Sequence, residues 1–217
     1  MMKKTTEMKP AMKWVIVILL IAAAAMSLWL TVEKLSGGIN SLTGCGAGSG
    51  CANVLGSKWS VVLGLIPVSV FSCALYLAVL VSLWMRGFKA HGFRMLAAWM
   101  FIAAAVWFTA LQIFVLKTMC PYCMTMHGVG VLLGVLILLA ELKVEGALKR
   151  SLTSLILAVL LVSGLAVVQS MGPTPDTHRV DDVTGVDSNL PRGLDGTKSD
   201  IHAAGEGRLV SFFESKK

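Results

Sequence analysis

The sequence predicts an all-α integral membrane protein with five membrane-spanning helices. Of its 217 residues, 56% are hydrophobic and 14% are charged, whereas soluble domains carry about 25% charged residues. Five long segments contain no Asp, Glu, Lys or Arg: 14–32, 59–85, 95–116, 118–140 and 151–175. Each exceeds the roughly 18 uncharged apolar residues that indicate a transmembrane helix.

The first span follows a basic leader that contains Lys3, Lys4, Lys9 and Lys13, which is also typical of a signal peptide. Its apolar run is longer than the roughly 7–15 residues of a signal-peptide core. The run ends in Leu-Trp-Leu-Thr-Val-Glu at residues 28–33, without a small-x-small cleavage site. We therefore expect a retained helix.

The basic residues that flank the spans predict the orientation of the chain. Only Lys34, Lys58 and Lys117 lie on one side before the tail. The ten on the other side are Lys3, Lys4, Lys9, Lys13, Arg86, Lys89, Arg94, Lys143, Lys149 and Arg150. Because cytoplasmic loops are enriched in Lys and Arg, we expect a multi-pass protein of the cell (inner) membrane. Its N-terminus is then cytoplasmic, and the cysteine pairs and C-terminus are exoplasmic. The net charge of +7 follows from this topology, and no basic patch indicates a nucleic-acid partner.

Within the second span, Pro67 predicts a bend, or a break between a short surface helix and the true span. The uncharged segment is longer than a span needs, so the first turn or two after Lys58 is predicted to lie along the membrane surface. In the fourth span, Gly130 and Gly134 have the spacing of a small-residue ridge for close helix packing.

Four of the five cysteines form two pairs, both on the predicted exoplasmic side. Cys45 and Cys51 lie in a glycine-rich loop, and Cys120 and Cys123 enclose a Pro-Tyr dipeptide where the fourth span begins. Free N–H groups and the dipole at a helix N-terminus stabilise a thiolate, and disulfides persist in an oxidising compartment. One mobile pair and one fixed pair predict a relay for thiol–disulfide exchange.

Two other interpretations of the four cysteines remain open. A membrane metal-binding or transport protein could hold a metal with all four, because CxxC is half of many zinc and iron–sulfur motifs. The other pair has C-x5-C spacing, which departs from the usual second half and favours redox chemistry. A purely structural set of disulfides is the third interpretation.

Cys73, His127 and Gln112 are three candidate functional residues inside the spans. Cys73 is alone in the second span and is expected to be a packing residue. His127 follows Cys123 by four residues and so shares its helix face. Histidine inside a span is costly and often functional, but a hydrogen bond between packed helices explains it equally well. Gln112 in the third span is a similar, weaker case.

Residues 51–59 resemble the signature of the vitamin K epoxide reductase family, in which a loop cysteine is followed six residues later by a serine and then by an aromatic residue. Here these are Cys51, Ser57 and Trp59. Cys45 upstream and the later CxxC complete the pattern. In the other class of disulfide-generating quinone reductases the CxxC comes first, so the order of the pairs separates the two. The resemblance covers about residues 13–141.

The resemblance implies a fold and an activity. It implies a four-helix transmembrane bundle over residues 1–142, a fifth transmembrane helix over 143–172 and an exoplasmic linker over 173–217. Within that linker, residues 208–214 resemble the first strand of a thioredoxin fold, the start of a fused domain. Bacterial members oxidise a thioredoxin-like periplasmic partner or fused domain and reduce a membrane quinone, which could be ubiquinone, menaquinone or phylloquinone.

The resemblance also implies catalytic roles for the four cysteines. A partner thiolate attacks a Cys45–Cys51 disulfide at Cys45. The released Cys51 attacks Cys120 of a Cys120–Cys123 disulfide. Cys123, freed as a thiolate, then faces the quinone and transfers electrons to it.

Three further residues are implied to bind or stabilise the quinone. Ser57 would stabilise developing negative charge, and Trp59 would cover the site. His127 stands where some relatives have tyrosine, which alters the expected quinone contacts. A physiological reductase of vitamin K epoxide is the alternative with the same chemistry.

Overall fold

The computed structural model describes residues 9–37, 45–46, 48–85, 87–143 and 146–172. The predicted linker over 173–217, with its strand at 208–214, lies outside these residues, as do Lys3, Lys4 and Arg86. The domain boundaries at 142 and 172 stay predictions.

Six α-helices account for most of the described chain. They are α1 (Pro10–Leu35), α2 (Gly50–Gly56), α3 (Val68–Ser82), α4 (Phe88–Ala110), α5 (Pro121–Glu141) and α6 (Ala147–Met171). A 3-10 turn at Lys58–Ser60 and a two-stranded antiparallel hairpin, β1 (Val61–Val62) and β2 (Ile66–Pro67), join α2 to α3. At its C-terminal end α4 continues into a π-helical segment, Leu111–Val115.

Four of these helices are long and apolar enough to cross a membrane: α1, α4 with its π segment, α5 and α6. The predicted span over 59–85 differs, because its first part forms the 3-10 turn and hairpin. A break does occur at Pro67, and α3 begins at Val68. With 15 residues, α3 is shorter than the roughly 18–20 residues of a typical span. Helix length alone therefore does not make α3 a fifth span.

The bundle is organised around α4, which packs against α5 and α6, while α1 packs against α3 and α5. Large apolar side chains on the outer faces of the long helices are exposed, as expected where lipid replaces water. The buried core consists of Ile16, Leu20, Ala23, Ala24, Tyr76, Val79, Ala97, Ala98, Phe101, Leu133, Ile137 and Leu138. Cys73 packs against this core, and its sulfur lies 3.6 Å from the carbonyl oxygen of Ala24, which fits the predicted packing role.

A buried ion cluster joins three helices at the end of the bundle away from the cysteines. The Glu141 carboxylate, at the end of α5, accepts hydrogen bonds from His91 and from Arg94 of α4. Arg94 also donates to the carbonyl oxygen of Ser82, the last residue of α3, at 2.9 Å. Pairing of this kind offsets the cost of burying a carboxylate.

The predicted small-residue ridge on α5 packs against α4, most tightly at Gly134. A Cβ atom on Gly134 would lie 2.7 Å from the carbonyl oxygen of Ala98. At Gly130 the nearest atoms would be at 3.7 and 3.8 Å, an ordinary contact distance. Gly134 is therefore the position at which α4 and α5 approach most closely along this ridge.

We expect Gly134→Ala to destabilise the bundle by about 1–3 kcal/mol, the usual range for overpacking a helix interface. Backbone must move to accept the methyl group, because its nearest neighbour is a carbonyl oxygen. Unfolding in mixed micelles of increasing denaturing detergent would measure the loss. Gly128→Ala is the matched control, since a Cβ there meets nothing within 4 Å; equal stability of the two variants would contradict the prediction.

A candidate redox site at one end of the bundle

The loop pair of cysteines forms a disulfide bond, Cys45–Cys51. Cys51 lies in the first turn of α2, a seven-residue helix that the glycine-rich sequence did not predict. Ser49 caps this helix, because its side chain accepts a hydrogen bond from the N–H of Ala52 at 3.2 Å. The cap and the helix give Cys51 a fixed position where a flexible loop was expected.

Close backbone contact brings the two cysteine pairs together. A Cβ atom on Gly50 would lie 2.6 Å from the carbonyl oxygen of Met119, so only glycine allows α2 to approach the segment before α5 so closely. The sulfur atoms of Cys51 and Cys120 are 3.5 Å apart. Cys45, Cys51 and Cys120 are 0%, 1% and 0% exposed. Direct exchange between the pairs therefore requires no large movement of either backbone.

Cys120 is the N-cap of α5, with Pro121 in the first turn as predicted. The Cys120 sulfur accepts a hydrogen bond from the backbone N–H of Cys123 at 3.3 Å. A hydrogen bond from the Cys123 side chain is the largest influence on Cys120; burial opposes it, and the backbone N–H groups of Cys123 and Tyr122 reinforce it. Together they lower the pKa of Cys120 from 9.0 to about 7. Cys120 is thus suited to be a thiolate at neutral pH.

Cys123, one turn further along α5, faces a cavity inside the bundle of about 780 Å³. Ligand sites in proteins typically have volumes of about 300–1,000 Å³ and mostly apolar walls with a few polar groups. The polar or sulfur-containing side chains on its walls are Ser27, Lys34, Ser57, Trp59, Ser60, Ser69, Ser72, Tyr76, Met100, Gln112, Cys123, Met126 and His127. One member of the CxxC pair therefore touches the loop disulfide, and the other touches a site with room for an apolar ring.

Ser57, Trp59 and His127 all line this cavity. The Ser57 hydroxyl donates to the carbonyl oxygen of Val54 at 2.7 Å, so its oxygen can still accept a hydrogen bond. The His127 ring stacks on Phe108, with centroids 5.9 Å apart and planes 7° apart. Both interpretations of His127 thus have structural support, since it lines the cavity and also contacts neighbouring helices.

Gln169 of α6 holds Trp59 in place, an arrangement that the sequence did not predict. Its amide nitrogen donates to the carbonyl oxygen of Trp59 at 2.6 Å, and its oxygen accepts from the Trp107 indole at 3.4 Å. The two indole rings pack edge to face, 6.2 Å apart. Leu161 and Leu165, also on α6, line the cavity, so α6 forms part of its wall.

Lys34, at the end of α1, is the second site residue that sequence reasoning missed. Its charge was used only to predict the orientation of the chain. Its ammonium group donates to the carbonyl oxygen of Leu55 at 2.7 Å and to the Ser60 hydroxyl. Leu55 lies in the last turn of α2, where a cation is favourable. Lys34 therefore links α1 to the helix that carries Cys51 and also lines the cavity.

The model of the vitamin K epoxide reductase family matches residues 14–138, which run from near the start of α1 to the last turn of α5 and include both cysteine pairs and most of the cavity wall. The chain belongs to the vitamin K epoxide reductase family. A search of curated proteins found no match. Family membership makes the protein a membrane oxidoreductase of disulfide-related chemistry.

The loop disulfide bears on the alternative of a metal site held by all four cysteines. Cys45 and Cys51 are bonded to each other, which leaves two thiols near the site, whereas structural zinc sites use four ligands. Within residues 9–37, 45–46, 48–85, 87–143 and 146–172, no group of three or more His, Cys, Asp or Glu side chains is placed to hold a metal ion.

The lowered pKa of Cys120 predicts the pH dependence of its alkylation. The thiolate is the reactive form, so the rate should rise with pH, reach half its maximum near pH 7 and level off above about pH 8. Mass spectrometry of the peptide that contains Cys120 would follow labelling by iodoacetamide at several pH values. In Cys123→Ala the midpoint should move upward, because the main stabilising hydrogen bond is lost; an unchanged midpoint would contradict this account.

Proposed function

We propose that this protein is a thiol–disulfide oxidoreductase that oxidises a thioredoxin-like periplasmic protein or domain and passes the electrons to a membrane quinone. The observation that carries the proposal is the position of the CxxC pair. Cys120 touches the loop disulfide at 3.5 Å, while Cys123 lines an apolar cavity of about 780 Å³. One pair thus contacts both the exchange partner and the space for an electron acceptor.

The first half-reaction takes place at the loop disulfide. A thiolate of the partner attacks the sulfur of Cys45, the Cys45–Cys51 bond breaks, and Cys51 leaves as a thiolate. The second partner thiol, as its thiolate, attacks the partner sulfur of the mixed disulfide. The partner leaves with its own disulfide, and both loop cysteines are reduced. Cys45 is buried, so its loop must open for this attack.

Exchange inside the protein then regenerates the loop disulfide. The Cys51 thiolate attacks Cys120 of an oxidised Cys120–Cys123 pair, and Cys123 leaves as a thiolate. Cys45 next attacks Cys51, so the Cys45–Cys51 bond forms again and Cys120 leaves. A leaving thiol of low pKa accelerates this step, which suits the pKa of about 7 at Cys120. The described structure corresponds to the end of this step, with the loop pair oxidised and the CxxC pair reduced.

The second half-reaction uses the cavity. Cys120 and Cys123 form a disulfide and give up two electrons and two protons, and the quinone takes up both pairs to become a hydroquinone. Cys123 faces the quinone, while Ser57 and His127 supply polar contacts and Trp59 covers the ring. The mostly apolar walls suit a lipid-soluble acceptor, because a site with few polar groups gains affinity chiefly from apolar contact.

The proposal includes α3 as a fifth span and an orientation with the N-terminus in the cytoplasm. The lengths of α1, α4, α5 and α6 and the packing of α3 against α1 support α3 as a member of the same bundle. The hairpin before α3 and the turn after it lengthen this segment, so that its total length is similar to that of the four long helices. The ten flanking basic residues on one side support the orientation.

Replacing Cys123 should separate the two half-reactions. With dithiothreitol as the thiol and a short-chain ubiquinone or menaquinone as the acceptor, we expect Cys123→Ser to lose turnover by roughly 100-fold or more. In the variant before dithiothreitol is added, the Cys120 thiolate can attack Cys51 of the loop disulfide, which forms a Cys51–Cys120 bond and releases Cys45 as a thiolate. No Cys123 thiol is present to attack Cys120, so this Cys51–Cys120 disulfide should accumulate and be visible by mass spectrometry. Cys73→Ala is the matched control and should keep activity, since Cys73 packs against the core. Turnover by Cys123→Ser near the wild-type rate would refute the relay.

Single cysteines introduced into a Cys-free variant would test the orientation and the fifth span. We expect a cysteine at Gly37 or Gly172 to react with a membrane-impermeant maleimide in intact cells. A cysteine at Gly87 should react only after the membrane is permeabilised, because that turn lies between α3 and α4 on the proposed cytoplasmic side. Labelling of Gly37 and Gly87 positions from the same side would mean that α3 does not cross the membrane.

A further inference from the structure

Gln112 is a buried polar side chain between the CxxC pair and His127. It is 2% exposed, lies in the π-helical segment Leu111–Val115 and contributes to the cavity wall. An amide buried in a membrane protein is costly unless its donors and acceptor are paired. Its hydrogen bonds therefore indicate what the side chain does.

The backbone reverses direction after Gln112, so that the following residues pass close to it again. The π turn closes with a hydrogen bond from the N–H of Leu116 to the carbonyl oxygen of Leu111 at 2.8 Å. Lys117 has a φ of 52°, in the left-handed region that side chains other than glycine rarely adopt. The N–H of Thr118 then bonds the carbonyl oxygen of Gln112 at 3.1 Å. This reversal carries Cys120 back to the Gln112 side chain, and single π turns occur frequently at functional sites.

The hydrogen bond to Cys120 determines which way the amide of Gln112 faces. The backbone N–H of Cys120 can only donate, so its partner at 2.8 Å is the amide oxygen Oε1. The amide NH₂ group then faces Nε2 of His127 at 3.4 Å. An NH₂ group can only donate, so Nε2 of His127 is the acceptor. A neutral imidazole that accepts at Nε2 carries its proton on Nδ1.

The other nitrogen of His127 is free to meet a ligand. Stacking on Phe108 fixes the plane of the ring, and His127 lines the cavity. Within the described residues, Nδ1 makes no hydrogen bond with another side chain or with the backbone. An N–H donor is thus available at the cavity, one helical turn from Cys123.

We infer that Gln112 is a positioning residue that holds His127 as the Nδ1–H tautomer and ties it to the backbone of Cys120, so that an N–H donor faces the carbonyl oxygen of the quinone. This inference rests on the proposed function. A donor placed in advance stabilises negative charge on that oxygen as electrons arrive from the dithiol. Because one amide contacts both Cys120 and His127, it fixes the position of the thiol pair relative to the acceptor site.

The tautomer of His127 is directly measurable and tests the inference without an activity assay. The chain contains four histidines, so protein labelled with ¹⁵N-histidine in detergent micelles gives few ring signals, and the signal lost in His127→Asn identifies residue 127. We expect the wild-type ring to show the Nδ1–H pattern. An Nε2–H pattern in the wild-type protein would overturn the inference.

Gln112→Glu and Gln112→Leu then test the link to catalysis. An ionised glutamate still accepts from Cys120 but cannot donate to His127, so a neutral ring must donate from Nε2 and then carries no proton on Nδ1. Leucine removes both bonds. We expect kcat/KM for the quinone to fall about tenfold in each, the size of one lost hydrogen bond. Reduction of the Cys45–Cys51 disulfide by dithiothreitol without quinone should stay within about twofold, which a general loss of structure would not allow.

Thr118→Val is the matched control, since the Thr118 hydroxyl is buried in the same turn and has no hydrogen-bond partner in the part of the chain that the structure describes. It should leave both the tautomer and quinone reduction unchanged. If wild-type protein reduces quinone and both Gln112 variants match it, the inference fails while the proposed function stands. If wild-type protein reduces no quinone, the proposed function fails, and with it the role of the His127 donor.

Discussion

The contact between the sulfur atoms of Cys51 and Cys120, at 3.5 Å, is the constraint on which the rest of the site depends. The two residues lie 69 positions apart in sequence. Cys51 belongs to the short loop helix α2, and Cys120 is the N-cap of the long membrane helix α5. Each is held at the N-terminal end of its helix, where backbone N–H groups are free. Gly50 permits the approach because any side chain there would meet the carbonyl oxygen of Met119. Without that contact the loop disulfide and the CxxC pair would be two unconnected redox groups.

The CxxC spacing gives the two cysteines of α5 different surroundings. Cys120, at the cap, lies outside the helix proper and contacts Cys51, while Cys123 is in the first turn and faces the cavity. In the proposed relay, electrons that enter at the loop cross from one environment to the other through a single disulfide. The cavity itself is closed by elements that are distant in sequence, since Trp59 comes from the turn after α2 and Leu165 from α6. A redox relay of this kind needs the whole bundle, because no single hairpin contains both its entry and its exit.

Hydropathy and cysteine spacing were sufficient to predict the spans of α1, α4, α5 and α6, the start of α5 at Pro121 and the family of the chain. Over residues 59–67 they predicted the break at Pro67 and a first segment outside the span, but not the hairpin, because an apolar hairpin has the same composition as an apolar helix. The helix α2 was missed because glycines predict a loop, whereas capping by Ser49 and burial of Cys51 favour a helix. Lys34 and Gln169 were missed for another reason. Their partners, Leu55 and Trp59, are defined only by tertiary structure, and no local pattern reveals them.

Three buried or half-buried polar side chains share one physical property, which is that each pairs with a different structural element. Lys34 joins α1 to α2, Gln112 joins the π segment to α5, and Gln169 joins α6 to the segment after α2. A buried amide or ammonium group costs free energy unless it is paired, so each of these bonds resists separation of the two elements it links. The bond from Gln169 has a particular consequence. It places α6 in the wall of the cavity and fixes the backbone of Trp59, so the last helix is a component of the proposed acceptor site, beyond any role as a membrane tether.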